Sequence, residues 1–149
     1  MLDIFEILGP VMVGPSSSHT AGAVRIGRMA RTLLDGVPVR AEIGLYGSFA
    51  ETGRGHGTDR ALVAGLLGMA PDDLDVPRSF EIAAERKLVF SFHTVQLRTA
   101  HPNTAVLDVT AEDGRRLVLR AASTGGGRIR VEQVNGVNVN FTGDFNTLI

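Results

Sequence analysis

Apolar residues recur at Ile26, Met29, Ala30, Leu33 and Leu34, a spacing that lays an apolar stripe along one face of a helix. Arg25, Arg28 and Arg31 fall outside the stripe, and Asp35-Gly36 supplies a stop. From Val37 the period changes to two. Val37, Val39, Ala41, Ile43 and Leu45 share a face, which predicts a half-buried strand. A second helix is predicted with Leu62, Val63, Leu66 and Leu67 on its apolar face, capped by Thr58 or Asp59 and stopped by Gly68 and Pro71. Residues 3–8 predict one further apolar turn before Gly9-Pro10.

The second half reads as strands. Val89–Leu97, Thr104–Thr110, Arg115–Ala121 and Arg128–Val134 carry the apolar and β-branched content of sheet. His101-Pro102-Asn103 reads as a turn, and Glu112-Asp113-Gly114 as a short hairpin connection with positive φ expected at its glycine. The expected fold class is α+β: a mostly antiparallel sheet with helices packed on one face.

Each predicted helix follows a polar loop. The first, Val13-Gly14-Pro15-Ser16-Ser17-Ser18-His19-Thr20-Ala21-Gly22, holds four hydroxyls and an imidazole in five consecutive positions, Ser16 to Thr20. Ser18 or Thr20 is the natural cap of a helix from Ala21, since a hydroxyl there accepts from an unpaired amide. The remaining groups can hold a carboxylate or phosphate, because helix starts carry free amides and positive potential. A serine hydrolase is disfavoured: Ser18 and His19 are sequence neighbours and no strand-to-helix nucleophile turn is present.

The second loop, Gly47 to Asp59, contains His56 between Gly55 and Gly57. Glycine on both sides leaves the ring open to close approach, and an imidazole titrates near neutral pH, so His56 suits proton transfer as well as simple exposure to solvent. His93, inside a strand pattern, reads as structural. His101 is explained by a side-chain bond to the backbone of its own turn. Gly125-Gly126-Gly127 lacks the lysine and following helix of a phosphate loop, so strand turning is its simpler use.

Composition narrows the partners. Fifteen basic and sixteen acidic residues leave a net charge of −1 with no block of like charge, so neither a nucleic-acid footprint nor an anionic-membrane surface is expected. No apolar run approaches the roughly 20 residues of a membrane span, and the N-terminus lacks the basic start of a signal peptide; a cytoplasmic protein is expected. Cysteine is absent, which excludes disulfides, a thiol nucleophile and thiolate metal ligands on this chain. The four histidines show no i, i+4 spacing, so no metal site is expected.

Four blocks together resemble the β chain, or β domain, of the iron–sulfur-dependent L-serine dehydratases (L-serine ammonia-lyases). They are Gly14–Ala23 with Arg25-Ile26-Gly27, Gly47–Asp59, His101-Pro102-Asn103-Thr104 and Ser123-Thr124-Gly125-Gly126-Gly127. The resemblance runs in order over nearly the whole chain. It implies conversion of L-serine to pyruvate and ammonia without pyridoxal phosphate. It also implies a [4Fe-4S] cluster whose cysteine ligands lie on an α chain or α domain, where iron would act on the substrate hydroxyl. His56 is then expected to act as catalytic acid/base and His19 to orient substrate or share the proton work. Ser16, Ser17, Ser18 and Thr20 would hold the carboxylate or ammonium. Such chains often continue into an ACT-type domain. Residues 1–143 are therefore expected to form the β domain and 144–149 the opening of that further domain.

Two other readings stay open on the residues alone. One is an effector-binding module for a small anion or amino acid without catalysis. The other is a structural partner that stabilises the α chain. A homodimer through an exposed sheet edge is a further route of assembly.

Overall fold

The computed structural model describes residues 18–52 and 57–143. Its elements are α1 (Ser18–Leu34), β1 (Pro38–Gly47), α2 (Ser48–Thr52), α3 (Thr58–Leu66), a 3-10 turn (Val76–Arg78), α4 (Ser79–Glu85), β2 (Val89–Thr94), β3 (Asn103–Ala111), β4 (Arg116–Gly125), β5 (Arg128–Val134) and β6 (Val137–Gly143). The strands form one sheet in the order β2-β1-β3-β4-β5-β6. β1 and β2 pair in parallel through a crossover that carries α2, α3 and α4, and the other neighbours pair antiparallel. This is the expected α+β architecture.

The two faces of the sheet differ as the period-two pattern requires. Ala41, Ile43 and Leu45 of β1, Leu107 and Val109 of β3, Leu117 and Leu119 of β4 and Ile129 and Val131 of β5 are buried together under the helices. The opposite face carries ion pairs, among them a two-pronged Arg116–Asp108 bond (2.8 and 2.6 Å) and Arg120–Glu132 at 3.0 Å. Exposed pairs such as Arg116–Asp108 keep this surface wetted and contribute little to stability individually, while Arg120–Glu132 is part-buried.

α1 lies across β3, β4 and β5 and also packs against α3. It is therefore covered on two sides, and its buried set is wider than the predicted stripe. Ala23 and Val24 join it, whereas Leu33 turns out to be 40% exposed. The contact with α3 is made by glycines. A Cβ on Gly65 would sit 2.8 Å from the Gly27 Cα, and one on Gly27 would sit 2.9 Å from the Gly65 Cα. Both would also strike backbone carbonyl oxygens, those of Val24 and Leu62. The two backbones thus meet with no side chain between them.

At its far end α1 stops where Asp35 takes a left-handed conformation (φ 55°). Arg115, in the β3–β4 turn, donates to the Leu34 and Asp35 carbonyls at 2.9 Å each. A cation at that position satisfies orphan carbonyls and opposes the negative end of the helix dipole. Gly114 in the same turn has φ 93°, as its place in a hairpin predicted.

Several elements depart from the sequence expectations. The glycine-rich second loop contains the short helix α2. α3 starts at Thr58 with Gly57 as its cap (φ 102°), so Thr58 and Asp59 lie inside the first turn instead of capping it. Residues 76–85 form a 3-10 turn and α4, anchored by Val76, Ile82 and Ala83 in the core. β6 follows an Asn135-Gly136 turn with φ of 52° and 81°, and returns so that Gly143 pairs opposite Ile129. The apolar turn expected at residues 3–8 and the domain opening at 144–149 lie outside the described residues.

Replacing Gly65 by alanine drives a methyl into the α1 backbone. We expect Gly65→Ala to destabilise the domain by about 1–3 kcal/mol, the usual cost of overpacking a tight contact. Chemical denaturation reads this directly, and an unchanged midpoint would contradict the packing described.

Candidate functional site

One end of the sheet gathers the start of both major helices. β1 ends there, β3 begins there, and the β4–β5 hairpin turns there. The opening turns of α1 lie against that hairpin: a Cβ on Gly22, in the second turn, would meet the Ser123 side chain, and one on Gly127 would lie 3.6 Å from the Ala21 Cβ. We call this end the rim.

Ser18, His19 and Thr20 are the first three residues of α1. The helix therefore opens earlier than Ala21, and Thr20 sits within its first turn rather than at its cap. Ser16, Ser17 and His56 lie outside the described residues. The first turn of α1 contains no acidic residue, so nothing on the helix itself offsets the positive potential of its start.

The second loop reaches the same place. A Cβ on Gly57 would lie 3.8 Å from the Thr20 hydroxyl, so the cap of α3 abuts the opening turn of α1. Gly57 directly follows His56 in the chain. The Gly27–Gly65 crossing produces this approach by letting the two helices run close enough for their starts to meet.

The third block supplies a floor. Gly126 and Gly127 occupy the two central positions between β4 and β5 with φ of 64° and 76°, a two-residue hairpin conformation that glycine adopts without strain. Strand turning is thus their use, as expected. The turn is tied to α1 by Arg25, whose Nη1 donates to the Gly127 carbonyl at 2.6 Å. Along the inner face of β4 the side chains shrink toward the rim, from Leu117 and Leu119 to Ala121 and Ser123. That taper lets α1 approach. Ser123 is fully buried, and among the described residues its Oγ is the buried side-chain oxygen left without a hydrogen bond. The sequence reading included Arg25 and Ser123 in its blocks but assigned neither a role, since neither contact follows from local spacing.

His101 behaves as expected. The Nδ1 of His101 accepts from the Asn103 amide at 3.0 Å, and the Thr104 hydroxyl donates to the His101 carbonyl at 2.7 Å. His93 lies on the exposed edge strand β2 beside Gly44. Among the described residues no group of His, Asp and Glu can hold a metal ion, and no helix is long and apolar enough to cross a membrane.

Residues 1–134 match the serine dehydratase beta chain family. The chain belongs to that family. It is 42% identical over 146 residues to the L-serine dehydratase beta chain of Peptoniphilus asaccharolyticus, covering 97% of this chain and 66% of that protein. Over 141 residues it is 44% identical to the probable L-serine dehydratase beta chain of Bacillus subtilis (strain 168), covering 95% of this chain and 64% of that one. An L-serine dehydratase of Mycobacterium bovis is 31% identical over 161 residues, with 91% of this chain and 34% of the relative covered. The chain thus spans about two thirds of the length of these two beta chains. All four blocks quoted from the sequence fall within the family match.

The hairpin of this family member separates two costs. Gly126→Ala places a methyl in open space at positive φ, and should cost about 1–2 kcal/mol of left-handed strain. Gly127→Ala adds the displacement of Arg25 and the loss of its hydrogen bond, roughly 1 kcal/mol more. Urea unfolding of the two variants side by side should show this order. Equal losses would deny Arg25 its part in holding the turn.

Proposed function

We propose that this chain is the β component of an L-serine dehydratase, converting L-serine to pyruvate and ammonia together with an α chain. The observation that carries the reading is the contact of Thr20 with Gly57, which joins the segment bearing His19 to the segment bearing His56. A mere helix cap needs one hydroxyl. Two histidine-bearing segments meeting at one rim exceed that need.

The residues of this chain do not suit the ligation of an iron–sulfur cluster: the sequence has no cysteine, and no group of three potential ligands occurs among the described residues. A [4Fe-4S] cluster, in this proposal, belongs to the α chain, where it would supply Lewis acidity toward the substrate hydroxyl. What falls to this chain is binding and proton transfer. Ser16, Ser17, Ser18 and Thr20 hold the substrate carboxylate or ammonium at the start of α1, where unpaired amides and the helix dipole favour an anion. His56 is the acid/base for the Cα proton, with His19 orienting substrate or sharing that proton. Loss of the proton and of the β-hydroxyl leaves aminoacrylate, which tautomerises to an imine. Water then hydrolyses the imine to pyruvate and ammonia, so the water lost in elimination is returned.

The competing reading is an effector-binding module, favoured by the lack of any acidic residue in the first turn of α1. Assembly distinguishes the two. With anaerobically prepared α chain, the wild-type β chain should give serine-dependent pyruvate, and binding of serine without pyruvate would favour the module. In the assembled enzyme His56→Ala should lower turnover roughly 100- to 10,000-fold, the usual contribution of a placed proton-transfer group. Near-normal turnover would remove His56 from the mechanism.

A further inference from the structure

Ser123 is an odd choice for its position. It faces inward from β4 against α1, where Gly22 has no side chain to interpose. Alanine would fill that space equally well. A buried hydroxyl with no partner costs the fold free energy that an alanine methyl would not. The Oγ occupies the spot that a side chain on residue 22 would fill, and in a helix such a side chain lies over the preceding turn. Here the preceding turn is the one that opens α1 with Ser18 and His19.

We infer that Ser123 is a further ligand-binding residue of the rim, its hydroxyl donating to the carboxylate of an amino-acid substrate held at the start of α1. The inference rests on the serine dehydratase reading and deepens it: the carboxylate, rather than the ammonium, is the group that α1 receives. Three independent features agree. The helix start is positive and carries no acidic residue of its own. The hydroxyl beneath it is fully buried and unspent. The hairpin that bears the hydroxyl is fastened to α1 by Arg25, so donor and helix keep one spacing. The unmade hydrogen bond is a cost that anion binding would recover.

The test sets stability against binding in one variant. Ser123→Ala, assembled with the α chain, should keep or raise its thermal midpoint, because it removes an unsatisfied polar group. Its KM for L-serine should rise roughly 10- to 150-fold, the loss of one hydrogen bond to a charged group, with kcat within about threefold of wild type. Binding of L-alanine, which has the same carboxylate but no hydroxyl to eliminate, should weaken by the same factor. A KM within twofold of wild type overturns the inference, as does a lowered thermal midpoint, which would show the hydroxyl to be structural. If the wild-type assembly makes no pyruvate from serine, the enzyme reading itself fails. L-alanine binding that is equal in wild type and variant would defeat the Ser123 assignment alone.

Discussion

The close crossing of α1 and α3 at Gly27 and Gly65 is the contact on which the remaining geometry depends. Side chains normally hold packed helices 8–10 Å apart, axis to axis. Here backbone rests on backbone, and the starts of the two helices converge as a result. Thr20 and Gly57 are neighbours because of a contact two turns further along α1. The local sequences of the two loops do not by themselves bring them together.

α1 is fixed along its length as well as against its neighbour. Near its start Arg25 reaches the Gly127 carbonyl, and at its end Arg115 reaches those of Leu34 and Asp35. Both arginines span between helix and hairpin turns at opposite ends of the sheet, so the helix is held in register with β4. Each bond is modest in net terms, about 1 kcal/mol. Their combined effect is positional, since sliding α1 along the sheet would break both. A binding site at a helix start needs this kind of restraint, because its donors are the backbone itself.

Much of this was legible in the sequence, and the failures have identifiable causes. The periods of 3.6 and 2 revealed α1, β1, α3 and the antiparallel run because each buries a single face. Leu33 was misplaced since α1 has two buried sides, which a one-stripe pattern does not represent. α4 is seven residues long and tied to α3 by Ser79 donating to the Arg60 carbonyl, a tertiary anchor with no periodic signature. β6 was not expected: Asn135-Gly136 is a strong hairpin signal that the sequence reading left unused, and the exposed edge beyond it offers little alternation to reveal a strand. At the rim, the residue types of α1 and the second loop were visible, while the unpartnered state of Ser123 emerges only when strand and helix are brought together.

The return of β6 has a consequence for handling the protein. Gly143 pairs opposite Ile129 at the rim, and α1 also opens there, so the described body is entered and left at one end. The chain ahead of Ser18 and after Gly143 therefore meets the described body at the rim, beside the start of α1. The Gly114 tip, where nothing lies within 4 Å of an added Cβ, points the other way. A dye, a surface tether or an inserted epitope placed at that tip would leave the rim clear for a partner chain.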